Sequence, residues 1–239
     1  MQNLSQRQIQ ILKLIIDEYI ETAQAVGSEN LEKKYNLSFS PATIRNEMVK
    51  LTELGYLRQM HKSAGRVPTP MALKYYVRNL LEQETLPISE EVSVKQRVWD
   101  HRHSFDKLVK EATHALAEKT KTLALTSYGD DFFYHAGVAN ILDFPEFYDI
   151  DLTRNLLALL DRDDYWQDIF KRPITEDPFS LLLGEELGQA IFEPCGFLYT
   201  HFKSPGHEGV IGVVGPYRLD YGKIIPMVKY FGSLISELG

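Results

Sequence analysis

The same helix start is written twice in the first 81 residues, as Ser40-Pro41 and again as Thr69-Pro70. In each, a hydroxyl accepts hydrogen bonds from the unpaired amides of a first turn. The proline behind it has a helical φ and lacks an N–H that the turn would leave unused. Helices therefore begin at 41 and 70, and the chain between them must stop the first and lead into the second. Ile44, Met48, Leu51 and Leu54 form one apolar stripe, and Gly55 suits the left-handed position that ends a helix. A strand-like Tyr56–Met60, a turn at Ser63-Ala64-Gly65-Arg66 and an extended Val67-Pro68 follow. Upstream, Ser5 and Gln8 form a capping box before Ile9, Leu12, Ile16 and Tyr19, which recur at helical spacing. Val26-Gly27 is a turn, and Ser28 can cap a short helix through Leu31 to Tyr35. Three helices, a hairpin and a fourth helix predict a winged helix-turn-helix over residues 1–85.

At 100° per residue, with Ile44, Met48 and Leu51 inward, the helix from Pro41 turns Ala42, Arg45, Asn46 and Val49 outward and sets Thr43 and Lys50 at its flanks. That set suits major-groove readout: Arg pairs with guanine edges, Asn with adenine, and small apolar groups with the thymine methyl. A recognition helix reads with its N-terminal residues, and the amides at Ser40 are available to a phosphate. The turn His61–Arg66 adds Lys62, Ser63 and Arg66 as phosphate or minor-groove contacts. Tyr75 and Tyr76 are expected to pack in the core. A solvated amphipathic face is the competing reading of the helix, and the cationic hairpin beside it tips the balance toward double-stranded DNA.

Charge supports that reading only once it is divided. The net −7 of the 239 residues resolves into +4 over residues 1–80 and −11 over residues 81–239. Residues 45–80 alone sum to +5, whereas residues 129–193 hold 15 acidic and 4 basic groups. Such asymmetry directs the search to a local phosphate-binding surface, with the acidic block expected to turn away from the duplex.

After Leu86-Pro87, Val94, Val98, Phe105, Leu108, Ala112 and Ala115 step by threes and fours, with His101 at the one seam position that is not apolar. They predict one long helix over Ser89–Lys119, read as a linker or dimerisation element within residues 86–120; an amphipathic helix packed on its own domain fits the same spacing. From residue 121 to 239 the texture is α+β. Strands are expected at Thr122–Ser127, Asp131–His135, Gly196–Phe202 and Val210–Val214. Helices are expected at Thr153–Leu160 and Tyr221–Leu238, with Pro226 in the first turns of the latter or kinking it.

No catalytic constellation emerges, so the chain is not expected to be an enzyme. Gly209, Gly212 and Gly215 lack dinucleotide-binding spacing and do not open a helix. His101 and His103 point to different helical faces, no metal site is expected, and no cofactor is implied. The pairs Asp130-Asp131, Asp163-Asp164 and Glu185-Glu186 read as solvated surface. A lone Cys195 excludes an internal disulfide framework and reads as a packed thiol in a reducing, cytoplasmic protein. No apolar run is long enough for a membrane span, and the opening residues carry no secretion signal. Arg218 and Asp220 are expected to pair structurally. With Tyr221 they are also the group that would hold a ligand, if the C-terminal domain senses a small molecule.

The stretches SPATIRNEMVKLTELGYL and HKSAGRVPT resemble the heat-inducible transcription repressor HrcA family, as does QRQIQILKLIIDEYIETAQAVGSENL. The resemblance returns at AGVANILDFPEF (136–147) and GVIGVVGPYRLDYGKIIP (209–226). It implies a homodimeric repressor of heat-shock chaperone genes that binds an inverted-repeat operator, the CIRCE element, with a GroEL-type chaperonin as partner. It also implies a GAF-like C-terminal domain, and DNA contacts at Thr43, Arg45, Asn46, Lys62, Ser63 and Arg66. The chain departs from the family in length: HALAEKTKTLALTS runs almost directly into AGVANILDFPEF, where other members carry an inserted dimerisation domain. Dimerisation is therefore expected through Ser89–Lys119 or through the compact C-terminal domain. Tyr217, Leu219 and Lys62 also replace residues usual in the family.

Overall fold

The computed structural model describes residues 4–61, 64–82, 84–129, 132–170 and 177–239. The chain divides into two compact units, Met1–Glu82 and Gln83–Gly239.

In the first unit α1 (Gln6–Thr22), α2 (Ser28–Tyr35) and α3 (Pro41–Glu53) precede a hairpin of β1 (Leu57–Arg58) and β2 (Val67–Pro68), and α4 (Pro70–Asn79) closes it. The local signals act as expected. Ser5 and Gln8 make the capping box of α1, the Ser40 hydroxyl accepts the Thr43 amide at 3.2 Å, and Thr69 accepts that of Ala72 at 3.3 Å. Gly55 has φ +80°, and its carbonyl takes a hydrogen bond from the Thr69 hydroxyl at 2.7 Å, joining the end of α3 to the start of α4. The α1 core is Ile11, Leu12, Ile15, Ile16 and Tyr19, with Ile9 only half-buried. Two details differ from expectation. Gly27 caps α2, and Ser28 is instead its buried first residue. The paired strands are two residues long, because Gln59 and Met60 already turn away into the loop.

The second unit opens with α5 (Ile88–Trp99) and α6 (Phe105–Thr120), which replace the single helix expected over Ser89–Lys119. Between them the amides of His101, Arg102 and Ser104 bond to carbonyls three residues back, so the chain tightens and reverses. The two helices then clasp: Arg97 binds Glu111 and, at 2.8 Å, Glu118, while Lys119 lies 3.6 Å from Glu90. Val94, Val98, Leu108, Ala112 and Ala115 are buried within this unit. The apolar series thus serves intramolecular packing.

A five-stranded antiparallel sheet follows, formed by β3 (Leu123–Tyr128), β4 (Phe132–Ala136), β5 (Ser180–Leu183), β6 (Cys195–Ser204) and β7 (His207–Pro216) in the order β4-β3-β7-β6-β5. Helix α6 reaches it through the Thr113–Thr126 hydroxyl contact of 2.7 Å. Helix α9 (Tyr221–Leu238) packs so closely that a Cβ on Gly232 would lie 2.4 Å from Thr200. Another layer carries α7 (Ile150–Leu160), α8 (Asp163–Phe170) and short 3₁₀ turns. There Leu156, Leu160, Trp166, Ile169 and Phe192 pack on Cys195, Phe197 and Tyr199 of β6. Burial of both sheet faces explains why β6 and β7 read as near-continuous apolar runs.

Arg218 corrects a further expectation. Its guanidinium grips Glu146 in a two-pronged ion pair of 2.5 and 3.0 Å, with side chains 9% and 13% exposed, while Asp220 takes Lys223 at 2.8 Å. A buried guanidinium needs a carboxylate that meets its planar fork and shares its burial, and Glu146 in the 3₁₀ turn Pro145–Tyr148 supplies both. The pair joins the two segments, 136–147 and 209–226, that carry the C-terminal family resemblance. Arg218→Ala should destabilise this unit by about 3–5 kcal/mol, because Glu146 would stay buried without its partner. In urea denaturation the double variant with Glu146→Ala should lose less than Arg218→Ala alone.

Candidate nucleic-acid interface

Helix α3 exposes Ala42, Arg45, Asn46, Val49 and Lys50, leaves Thr43 half-buried, and buries Ile44, Met48 and Leu51. Ser40 is committed to its cap, and its hydroxyl lies 3.0 Å from that of Thr43. The sequence reading missed Glu47, which is 8% exposed and falls within the inward arc of 44, 48 and 51. It accepts a hydrogen bond from Lys50 at 3.1 Å and lies 3.9 Å from Arg7 of α1. Lys50 is therefore drawn back toward its own helix, whereas Arg45 and Asn46 stand on the exposed face.

The hairpin is fixed beside this face by main chain. Val26 and Arg66 exchange two backbone hydrogen bonds of 2.8 Å, tying the α1–α2 connection to the hairpin. Gly65 is required there, because a Cβ would sit 2.4 Å from the Val26 carbonyl oxygen. The Arg66 side chain turns onto α3, where Nε donates to the Thr52 hydroxyl at 3.1 Å and Nη1 to the Ala64 carbonyl at 3.5 Å. Gln59 donates to that carbonyl as well, at 3.0 Å. Lys62 and Ser63, the other hairpin residues singled out by sequence, lie outside the described residues.

Between α3, the hairpin and the start of α2 runs a groove of about 430 Å³, lined in part by Gly27, Arg45, Val49, Gln59, Gly65 and Arg66. Two guanidinium-bearing residues thus share it with the first turn of α2, whose amides carry partial positive charge. Lys34 is used elsewhere: it bridges Glu18 and Glu21 of α1 at 2.7 Å each, which raises its ammonium above the usual lysine range. Tyr35 donates to Glu18 at 3.0 Å, and burial pushes its phenol up to about 12. Tyr76 is buried and donates to Asp17 at 2.7 Å, while Tyr56 and Tyr75 meet edge to face.

The residues suggested for a small ligand do not converge. Arg218 faces Glu146, Asp220 faces Lys223, and the fully buried Tyr221 hydroxyl donates to the Tyr217 carbonyl. Cys195 is fully buried, and desolvation pushes its thiol up to about 12. Among the described residues, no three His, Cys, Asp or Glu side chains converge to hold a metal ion, and no helix is long and apolar enough to cross a membrane.

Residues 72–225 match the family described as HrcA protein C terminal domain, which covers well over half of the chain. The chain belongs to the HrcA family. Two curated relatives named heat-inducible transcription repressor HrcA extend the match. The protein of Carboxydothermus hydrogenoformans is 25% identical, with 98% of each chain covered, and that of Desulforamulus reducens is 26% identical, with 98% of this chain and 96% of the relative covered. The first alignment runs over 336 positions against the 239 residues here, so the HrcA relative carries internal segments that this chain lacks. A crystal structure described as a hypothetical protein at 2.2 Å resolution shares the fold, with a TM-score of 0.77, 18% identity, and 99% and 98% of the two chains covered.

Gly65→Ala should cost the first unit about 1–3 kcal/mol, since either the hairpin or the Val26 segment must shift. Urea denaturation should register the loss, whereas Gly27→Ala, whose Cβ meets nothing within 4 Å, should lose less, only the preference of a helix N-cap for glycine over alanine.

Proposed function

We propose that this HrcA-family chain is a transcriptional repressor of heat-shock chaperone genes that binds an inverted-repeat operator in double-stranded DNA as a homodimer. In this reading the first unit is a winged helix-turn-helix, and the second is a GAF-like regulatory domain that a GroEL-type chaperonin helps keep active. The observation that carries the proposal is the exposed row Ala42, Arg45, Asn46 and Val49 on α3, with a hairpin anchored beside it by the Val26–Arg66 bridge.

Each residue then has a part that follows from its chemistry. Arg45 and Asn46 would read base edges, while Ala42 and Val49 contact thymine methyls. Thr43 and Lys50 flank the helix, and the N-terminus at Ser40 meets a phosphate. Lys62 and Ser63 would contact the backbone from the wing, and Arg66 would brace the wing while lining the groove where a phosphate enters. The exposed face of α5 supports the dimer: Ile88, Val92 and Trp99 lie along one stripe and are 79%, 59% and 44% exposed, whereas Val94 and Val98 are buried. A repressor of this kind works in the cytoplasm and performs no catalysis.

Gel-shift binding to an inverted-repeat chaperone operator, with random duplex as control, tests the reading. Asn46→Ala should cost about 1–3 kcal/mol on the operator and little on random DNA, and equal losses on both would remove Asn46 from readout. Lys62→Ala should weaken both duplexes alike and lower the salt slope by about one. For the dimer, Val92→Glu should yield monomers in sedimentation velocity at micromolar protein; a dimer unchanged by that substitution would exclude this face.

A further inference from the structure

Proline inside a helix leaves one carbonyl without its intrahelical donor, because residue i has no N–H for the oxygen at i−4. In α9 that residue is Pro226 and the released acceptor is the Gly222 carbonyl. The amide of Glu84 donates to this oxygen at 3.2 Å. Glu84 lies in the segment that leads from the first unit into α5. A bond that an ordinary helix would keep to itself is thus given to the connection between the units.

The placement gives this bond leverage. Among the described residues, the preceding backbone tie is the Leu81 amide, which donates to the Tyr76 carbonyl within the first unit at 2.9 Å. Beyond Glu84, the Tyr230 hydroxyl of α9 donates to the Glu91 carbonyl at 2.8 Å, and Lys95 pairs with Glu237 at 2.6 Å. Between Glu84 and Glu91 the segment borders a cavity of about 350 Å³, with Thr85, Leu86 and Pro87 on one wall and Lys223, Ile224 and Met227 on another. Glu84, Thr85 and Pro87 are exposed, so packing alone does little to hold the segment against α9.

We propose that Pro226 is a latch: by freeing the Gly222 carbonyl it fastens the connection at Glu84, and so fixes how much chain separates the DNA-reading unit from the dimerising one. Latched, only Glu82 and Gln83 lie between the bonded residues Leu81 and Glu84. Released, the connection extends to the first turn of α5. In a dimer on an inverted repeat, the latched length limits the spacing between half-sites that both subunits can span. This last consequence rests on the proposed repressor function; the latch itself does not.

Two substitutions open the latch from opposite sides. Pro226→Ala restores an N–H that recaptures the Gly222 carbonyl, and Glu84→Pro removes the donor while leaving α9 intact. A nitroxide attached at Glu82→Cys reports the connection directly, since the buried Cys195 thiol does not compete for the label. Both variants should raise label mobility, and the double variant should add nothing further. The Glu84 amide in Pro226→Ala should exchange about fivefold faster or more, the loss expected for one hydrogen bond. Unchanged mobility and exchange in Pro226→Ala would overturn the latch.

Operators with the half-site spacing changed in single base-pair steps test the consequence. The parent protein should bind over a narrow range of spacings, and both variants over a wider one. A wider label distribution without a wider spacing range would leave the latch standing and refute its role in setting operator reach. Failure of every variant and the parent to bind the operator would instead refute the repressor reading.

Discussion

The candidate interface depends on two main-chain hydrogen bonds between Val26 and Arg66. Side chains alone would orient the hairpin loosely, since its own ladder is two residues long. The bridge gives it a second attachment, to the connection between α1 and α2, and Gly65 allows the approach. From that fixed point the Arg66 side chain reaches Thr52, so hairpin and α3 form one rigid surface. The exposed residues of α3 acquire a defined neighbour through backbone geometry, which substitutions on the reading face need not disturb.

The first unit was legible because its determinants are local. A hydroxyl before a proline, a glycine at a left-handed position and an apolar stripe each act within a few residues, and α1, α3 and α4 formed where those signals placed them. Glu47 escaped because a carboxylate on the inward arc contradicts the polarity rule; Lys50 meets it one turn along the same helix, and Arg7 of α1 lies near it only in the folded unit.

The second unit was less legible because its decisive contacts are distant. The break between α5 and α6 occurs at Asp100–Ser104, without glycine or proline, and the apolar spacing lapses there only at His101 before resuming in register at Phe105. What holds the reversed helices together is the burial of Val94, Val98, Leu108 and Ala112, with Arg97 set on Glu111 and Glu118, contacts invisible to any local window. Strand β5 has four residues and no clean alternation, so nothing in its own sequence separates it from a loop. Arg218 chose a partner 72 residues away over one two residues away, because burial selects for geometry.

That long-range choice has a kinetic side. Arg218 and Glu146 belong to segments separated by β5, β6, α7 and α8, and neither charge can leave water cheaply before the other arrives. Closing so long a loop is slow, and its entropy is lost before the contact returns anything. The pair therefore forms late, after the sheet has brought the end of β7 to the 3₁₀ turn. A register slip that misplaced either segment would strand a charge and be rejected. The ion pair acts in this way as a check on register, adding its stability only when the assembled sheet has set both segments in place.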